Sequence, residues 1–243
     1  MSDAFQQVVR SPRSIGARRG LLEEWTRIGD SRAELLGLAL SAFDGMYENY
    51  NKMERLIHLH KRELGGEVAG MVDGFDFEMG MVARAGISAV RLSETSSVLF
   101  AAAPVLGLSI KDVAELRSVL ADPALAQLVR LGIRGNGVDD ETAFAIARGK
   151  PLRDLRILDL QAGTITDRGL QALQSSKALP NLITIVLTGN PCRSSVMMNE
   201  DRAYWIAPAG EAFLDKAQRR AVVSYNPASV DWPPVFDEYA WTD

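Results

Sequence analysis

The side chains that most often do chemistry are few in this chain and poorly placed for it. Its two histidines, His58 and His60, stand two apart in a helical stretch, so they project from different faces and cannot grip one metal ion together. His60 falls on the apolar side with Met53, Ile57 and Leu64 and is expected to be partly buried, with His58 solvated. The single cysteine, Cys192, has no histidine near it in sequence, and a nucleophilic thiolate needs an activating base. A buried, inert thiol is expected there. Asp139, Asp140 and Glu141 form a carboxylate cluster, but they precede an apolar helical run, where acids meet the unsatisfied N–H groups of a first turn. Gly132-Ile133-Arg134-Gly135-Asn136-Gly137 fits neither the dinucleotide fingerprint nor the phosphate loop. No catalytic constellation, cofactor or metal is expected, and the chain reads as a non-enzyme.

What positions these residues is a leucine ladder that recurs at intervals of 27 residues. Leu125, Leu128, Leu131, Ile133, Asn136 and Val138 make the first copy. Leu152, Leu155, Leu158, Leu160, Gly163 and Ile165 make the second, and Leu179, Leu182, Ile185, Leu187, Asn190 and Cys192 the third. A fixed period of this size marks a solenoid, in which each unit buries its face against its neighbours. Leu158-x-Leu160 alternates with period two, which places both leucines on one side of a short strand. The opposite side carries Ile157, Asp159 and Gln161, joined by Arg130, Gly132 and Arg134 from one neighbour and Thr184, Val186 and Thr188 from the other. Parallel stacking makes these nine residues one face, and each parallel step needs a long crossover, which a helix supplies. Asp140 and Asp167, one repeat apart, are placed for N-cap or first-turn duty, and Asn136 and Asn190 for hydrogen bonds to buried backbone in the turn after the strand.

The ladder, with Ile165-Thr166-Asp167-Arg168-Gly169-Leu170 and Leu179-Pro180-Asn181-Leu182, resembles bacterial leucine-rich repeat proteins of the ribonuclease-inhibitor-like type over residues 105–192. Two departures stand out: Gly163 replaces the ladder Asn, and Thr142 stands where the next repeat has Gly169. The resemblance implies an α/β solenoid with a parallel sheet on its concave face, helices on its convex face and a protein partner bound in the concavity. Upstream, Leu21-Leu22-Glu23-Glu24-Trp25, Gly29-Asp30-Ser31-Arg32-Ala33-Glu34, Gly74-Phe75 and Val90-Arg91-Leu92-Ser93 resemble the helical companion domain that precedes degenerate repeats in some myxobacterial and planctomycete proteins. Its implied role is to cap the open apolar end of the first repeat.

The expected organisation is a flexible basic leader over 1–16, a helical cap leading into the first strands over 17–104, repeats over 105–192, and a C-terminal cap with an acidic aromatic tail over 193–243. Helices are expected near 17–28, 32–45 and 49–71, and strands at Met81–Ala83, Ile87–Leu92 and Val105–Leu108. A helix near 210–220 and a strand at 221–225 follow. Arg10, Arg13, Arg18 and Arg19 in the N-terminal stretch read as solvated, or as a contact for an acidic partner. The final eighteen residues hold four acids, no Lys or Arg, and Trp232, Phe236, Tyr239 and Trp241. That segment packs along the last repeat, reaches a partner or is disordered, and its density of aromatics argues against full disorder.

A net charge of -4 gives no support for nucleic-acid binding. The longest apolar run, Val98 to Ile110, is broken by Pro104 and too short to span a bilayer. With no apolar leader and one cysteine, a cytoplasmic location is expected. The expected function is therefore recognition of a protein through Arg130, Arg134, Ile157, Asp159, Gln161, Thr184, Val186 and Thr188. An immunity or inhibitor protein that neutralises a toxin or enzyme, and a self-associating scaffold subunit, are the alternatives.

Overall fold

A computed structural model describes residues 2–192 apart from Gly45, Tyr47, Ala114, Gly135, Asn136, Thr188 and Gly189; beyond 192 it describes only five two-residue strands. The described residues divide into two compact units, 2–86 with 95–106, and 87–94 with those between 107 and 236. Both are built from helices and strands, an α/β architecture.

The first unit opens with helix α1 (Asp3–Arg10), in the stretch expected to be a flexible leader. Ser2 caps it, its hydroxyl accepting from the Phe5 N–H. Phe5 and Val8, three apart on one helical face, are buried with Ile15, Leu21, Trp25, Leu36 and Leu40. That spacing overrides the run of charge that made the segment read as solvated. Helix α2 (Ile15–Ile28) is capped by Ser14 and closed by Gly29 in the left-handed region. Helices α3 (Arg32–Phe43) and α4 (Glu48–Gly65) follow, then the single turn α5 (Val68–Met71). α4 is kinked at His60, where φ is -127° and ψ 21°. The helix expected to continue to residue 71 thus ends six residues earlier, at Gly65 and the positive-φ Gly66.

Strands β1 (Gly74–Glu78) and β2 (Met81–Ile87) form an antiparallel hairpin. Met79 and Gly80 make its two-residue turn with φ of 49° and 74°, the pair of positive values that matches the twist of the strands. Gly80 also lies against α3, where an added Cβ would stand 2.6 Å from the Leu36 Cα. Arg18 fastens the same turn. Its side chain is fully buried and donates to the Met79 carbonyl at 3.4 Å and the Pro12 carbonyl at 2.9 Å. Burial lowers its pKa to about 9 against the opposing pull of the Glu78 charge. An arginine expected to be solvated is therefore a central tie between the N-terminal segment and the hairpin.

The second unit begins with the first turns of helix α6 (Ala89–Ala102), which replaces the strand expected at 87–92. Ser88 decides this, because its hydroxyl accepts from the Arg91 N–H and starts a helix. The unit continues as β3 (Gly107–Ile110), α7 (Leu116–Leu120), a 3-10 turn (Pro123–Gln127), β4 (Arg130–Ile133), α8 (Asp140–Arg148), β5 (Ile157–Asp159), α9 (Asp167–Gln174) and β6 (Thr184–Val186). β3 lies two residues later than expected. All four strands are parallel and adjacent in sequence order, and Trp205–Ile206 adds a short parallel strand beside β6. Register follows the ladder: Arg130 pairs Ile157 and Ile157 pairs Thr184, Leu131 pairs Leu158 and Leu158 pairs Ile185. Every ladder leucine and isoleucine from Leu125 to Leu187 is buried, as is Val138. Glu211–Ala212 is a strand paired with Val223–Ser224, where a helix and a strand had been expected respectively.

The hairpin turn yields a first prediction. Gly80→Ala should destabilise the protein by more than about 2 kcal/mol, since a left-handed alanine costs roughly 1–2 kcal/mol before any displacement of α3. Urea denaturation followed by circular dichroism measures it; an unchanged midpoint would show that the turn and α3 are not in close register.

Candidate functional site

The face opposite the ladder leucines depends on turns that hold the strands level. Asn190 does this in the third copy. Its carboxamide oxygen accepts from the Ile165 N–H at 2.8 Å, while its amide donates to the Leu160 and Leu187 carbonyls at 2.7 and 3.2 Å. One side chain thus satisfies buried backbone in two successive repeats. It also accounts for Gly163 at the same position one repeat earlier. A Cβ on Gly163 would meet the Val138 carbonyl oxygen at 2.4 Å and the Asn190 Oδ1 at 2.8 Å. The departure from the ladder makes room for the neighbouring asparagine. Asn136 lies outside the described residues.

The helix starts are coupled in the same way. Asp139, not Asp140, is the N-cap of α8, in a reciprocal capping box with Thr142. Asp140 reaches instead into the next repeat. Its Oδ1 accepts from the Thr166 and Gly169 N–H groups at 2.8 and 3.2 Å, and its Oδ2 from the Thr166 hydroxyl at 2.6 Å. Gly169 permits the approach, since a Cβ there would stand 2.5 Å from the Asp140 Oδ1. Burial pushes the Asp140 carboxyl up, but these hydrogen bonds and the Arg168 charge outweigh it and hold the group below the ordinary carboxylate range. Glu141 is exposed and lies 3.9 Å from Arg117. The acidic cluster is thus distributed among a cap, an inter-repeat tie and a surface contact.

Between these turns the alternation distributes side chains as the ladder implies, but it does not determine what covers them. Arg130, Asp159 and Thr184, expected as exposed contacts, are buried, with exposures of 6%, 3% and 6%. Ile157, Gln161, Val186 and Arg134 are half-buried. At the centre is a polar group. Arg134 Nη2 donates to Asp159 Oδ2 at 2.7 Å, and Gln161 donates to the same oxygen from its side chain at 3.1 Å and to Oδ1 from its backbone at 3.3 Å. Sequence spacing did not announce this pairing, because residues 25 apart become diagonal neighbours only once the register of β4 on β5 is known. Thr188 and the tail residues Trp232, Phe236, Tyr239 and Trp241 lie outside the described residues.

The remaining chemical candidates are not assembled with this face. His58 and His60 are both exposed, and His60, expected to be partly buried, instead meets Glu63 at 3.3 Å. The kink at His60 carries it off the apolar stripe. Cys192 is half-buried, and burial together with the Asp167 and Asp140 charges pushes its thiol up, away from an activated thiolate. Among the described residues no group of three or more His, Cys, Asp or Glu is placed to hold a metal ion. None of the helices described is long and apolar enough to cross a membrane. One arrangement went unread in the sequence: on α8, Phe144 has the guanidinium carbons of Arg148 and Arg168 at 5.3 and 5.9 Å from its ring centre. Neither a protein-family model nor a curated protein matches this sequence.

Asp140 gives a pH-dependent prediction. A carboxylate whose folded pKa is depressed contributes stability that is fully present above its unfolded value, near 3.9, and is lost as pH falls through the folded value. Asp140→Asn should therefore lower stability by about 1–2 kcal/mol at pH 7. The gap to wild type should close as the pH drops below about 4. Thermal melts at several pH values test this; a gap independent of pH would remove the charge from the account.

Proposed function

We propose that this chain is a leucine-rich repeat solenoid that binds a protein partner through the sheet face of β4, β5 and β6, without catalysis. The observation that carries the reading is the 27-residue register, which aligns Arg130 with Ile157 and Thr184, and Gly132 with Asp159 and Val186. Repeats aligned in this way give an extended, rigid surface of mixed chemistry, the kind on which solenoids hold proteins. Ile157 and Val186 supply apolar contact, and Arg134 and Gln161, held by Asp159, supply oriented donors. A preorganised donor pair costs a partner little ordering entropy. The non-catalytic reading is supported by the duties already found for the reactive side chains: Asp139 and Asp140 hold backbone, and the Cys192 thiol is pushed up.

The buried members of the face are poor choices for mutation, because replacing Arg130, Asp159 or Thr184 would disturb folding as well as binding. Ile157→Lys, Gln161→Arg and Val186→Glu change the half-buried members. Immobilised wild type and variant would be offered extract from the source cells, with thermal melts to verify that the variants remain folded. A partner retained by wild type and weakened at least tenfold by these folded variants is the expected result. An identical set of captured proteins would remove this face from the function.

A further inference from the structure

Where α8 and α9 end, two loops run side by side. The Ser176 hydroxyl donates to the Ala147 carbonyl at 2.7 Å, the Leu152 N–H to the Ala178 carbonyl at 2.8 Å, and the Asn181 amide to the Arg153 carbonyl at 2.8 Å. These three bonds fasten residues 147–154 to residues 176–181. Arg148, Lys150, Arg153 and Lys177 are all exposed on this edge, and among the described residues none of the four is in an ion pair. Asp154 is the one acid in the two segments, and it is half-buried. Arg148 has a duty within the fold, since it stands in the last turn of α8 and lies over the Phe144 ring. The other three stand beyond the helix ends, where the helix dipole has faded. Lys150 and Lys177 occupy equivalent positions 27 residues apart, so the stacking of repeats sets two like charges in adjacent loops. Neighbouring like charges oppose the fold, and no exposed acid on these loops offsets them.

We infer that this edge binds an acidic stretch of polypeptide, with carboxylates paired to Lys150, Arg153 and Lys177 and a backbone N–H donated to Asn181. Asn181 is exposed and commits its amide to the Arg153 carbonyl, which leaves its carboxamide oxygen to accept from a peptide. A DNA backbone offers no such donor. The chain's net charge of -4 also repels a long polyanion. A membrane surface is disfavoured for a different reason. Among the described residues the exposed large apolar side chains are Ile28, Phe43, Met46, Leu59, Val90 and Val98, none of them on these loops, so none of these side chains anchors the edge in lipid. Loops already fastened to each other lose little freedom on binding, so a few charge pairs suffice for a salt-sensitive contact. Ile157 follows Arg153 by four residues, so a partner on the sheet face can reach this edge with an acidic extension. That link, unlike the edge itself, rests on the protein-binding reading above.

The test is fluorescence anisotropy of fluorescein-labelled octaglutamate with the full chain at low ionic strength, compared with labelled octathymidylate and with phosphatidylserine vesicles. Octaglutamate should bind wild type, weaken as salt is added, and weaken at least fivefold for Lys150→Glu with Arg153→Glu. Lys52→Glu with Arg55→Glu on α4 makes the same change of net charge elsewhere and should weaken binding less than twofold. Lys150→Ala with Lys177→Ala guards against a folding defect: it should also weaken binding yet melt no lower than wild type, because it removes a like-charge pair. Absence of octaglutamate binding, an equal effect of the α4 pair, or tighter binding of the oligonucleotide or the vesicles would overturn the proposal. No natural partner is needed for this readout. An empty capture experiment with octaglutamate still bound would therefore sink the sheet-face reading while leaving the edge in place.

Discussion

Parallel strands exchange slanted backbone hydrogen bonds with both neighbours, so each must sit at the same height as the next over its whole length. From β4 to β6 this condition is met by a 27-residue offset, which appears in the ladder spacing and again in the backbone, whereas the offset is 23 residues between β3 and β4 and 21 between β6 and Trp205–Ile206. Arg156 and Ile157 both donate to the Val129 carbonyl, and Ile183 and Thr184 both donate to the Arg156 carbonyl. The same pattern is thus repeated one step on. Around these three strands the ladder leucines are buried, and polar side chains fix the turns where strand gives way to helix.

The turn residues show how strictly packing limits variation. Asn190 and Gly163 occupy equivalent positions, yet the first spans two repeats with three side-chain hydrogen bonds while a side chain on the second would collide with its neighbours. Asp140 and Gly169 form a similar pair of acceptor and vacancy, in which a carboxylate from one repeat enters the space that a missing Cβ provides in the next. Each repeat therefore depends on its neighbour for its polar as well as its apolar satisfaction. Removing one buried acceptor costs about 1–3 kcal/mol, comparable with a buried methyl or two, so these ties weigh as much as the leucines they accompany.

Periodicity made much of this legible. Leu131, Leu158 and Ile185 stand where alternation placed them, and the helices between the strands begin at the acids that marked them. The failures have physical causes. Phe5 and Val8 form a small apolar stripe that a count of charges hides, and Arg18 is buried because a hairpin turn 61 residues away offers it a carbonyl. Ser88 turned an alternating stretch into a helix through one hydroxyl. Alternation sets the face residues opposite the leucines, but exposure depends on what the rest of the chain does there, which no local pattern encodes. Arg134 and Asp159 became partners through register, which sequence gives only after the repeat is accepted.

A 27-residue offset, rather than leucine content, organises β4, β5 and β6. Duplicating residues 152–178 in place adds one full period, and the same insert lacking Ile157 adds one residue fewer and turns the following leucines to the wrong side of the strand. Urea denaturation of both chains decides the matter. The full-period insert should keep a single cooperative transition with a steeper dependence on urea, because more surface is exposed on unfolding, and the shortened insert should lose stability or cooperativity. Equal behaviour of the two inserts would contradict the account.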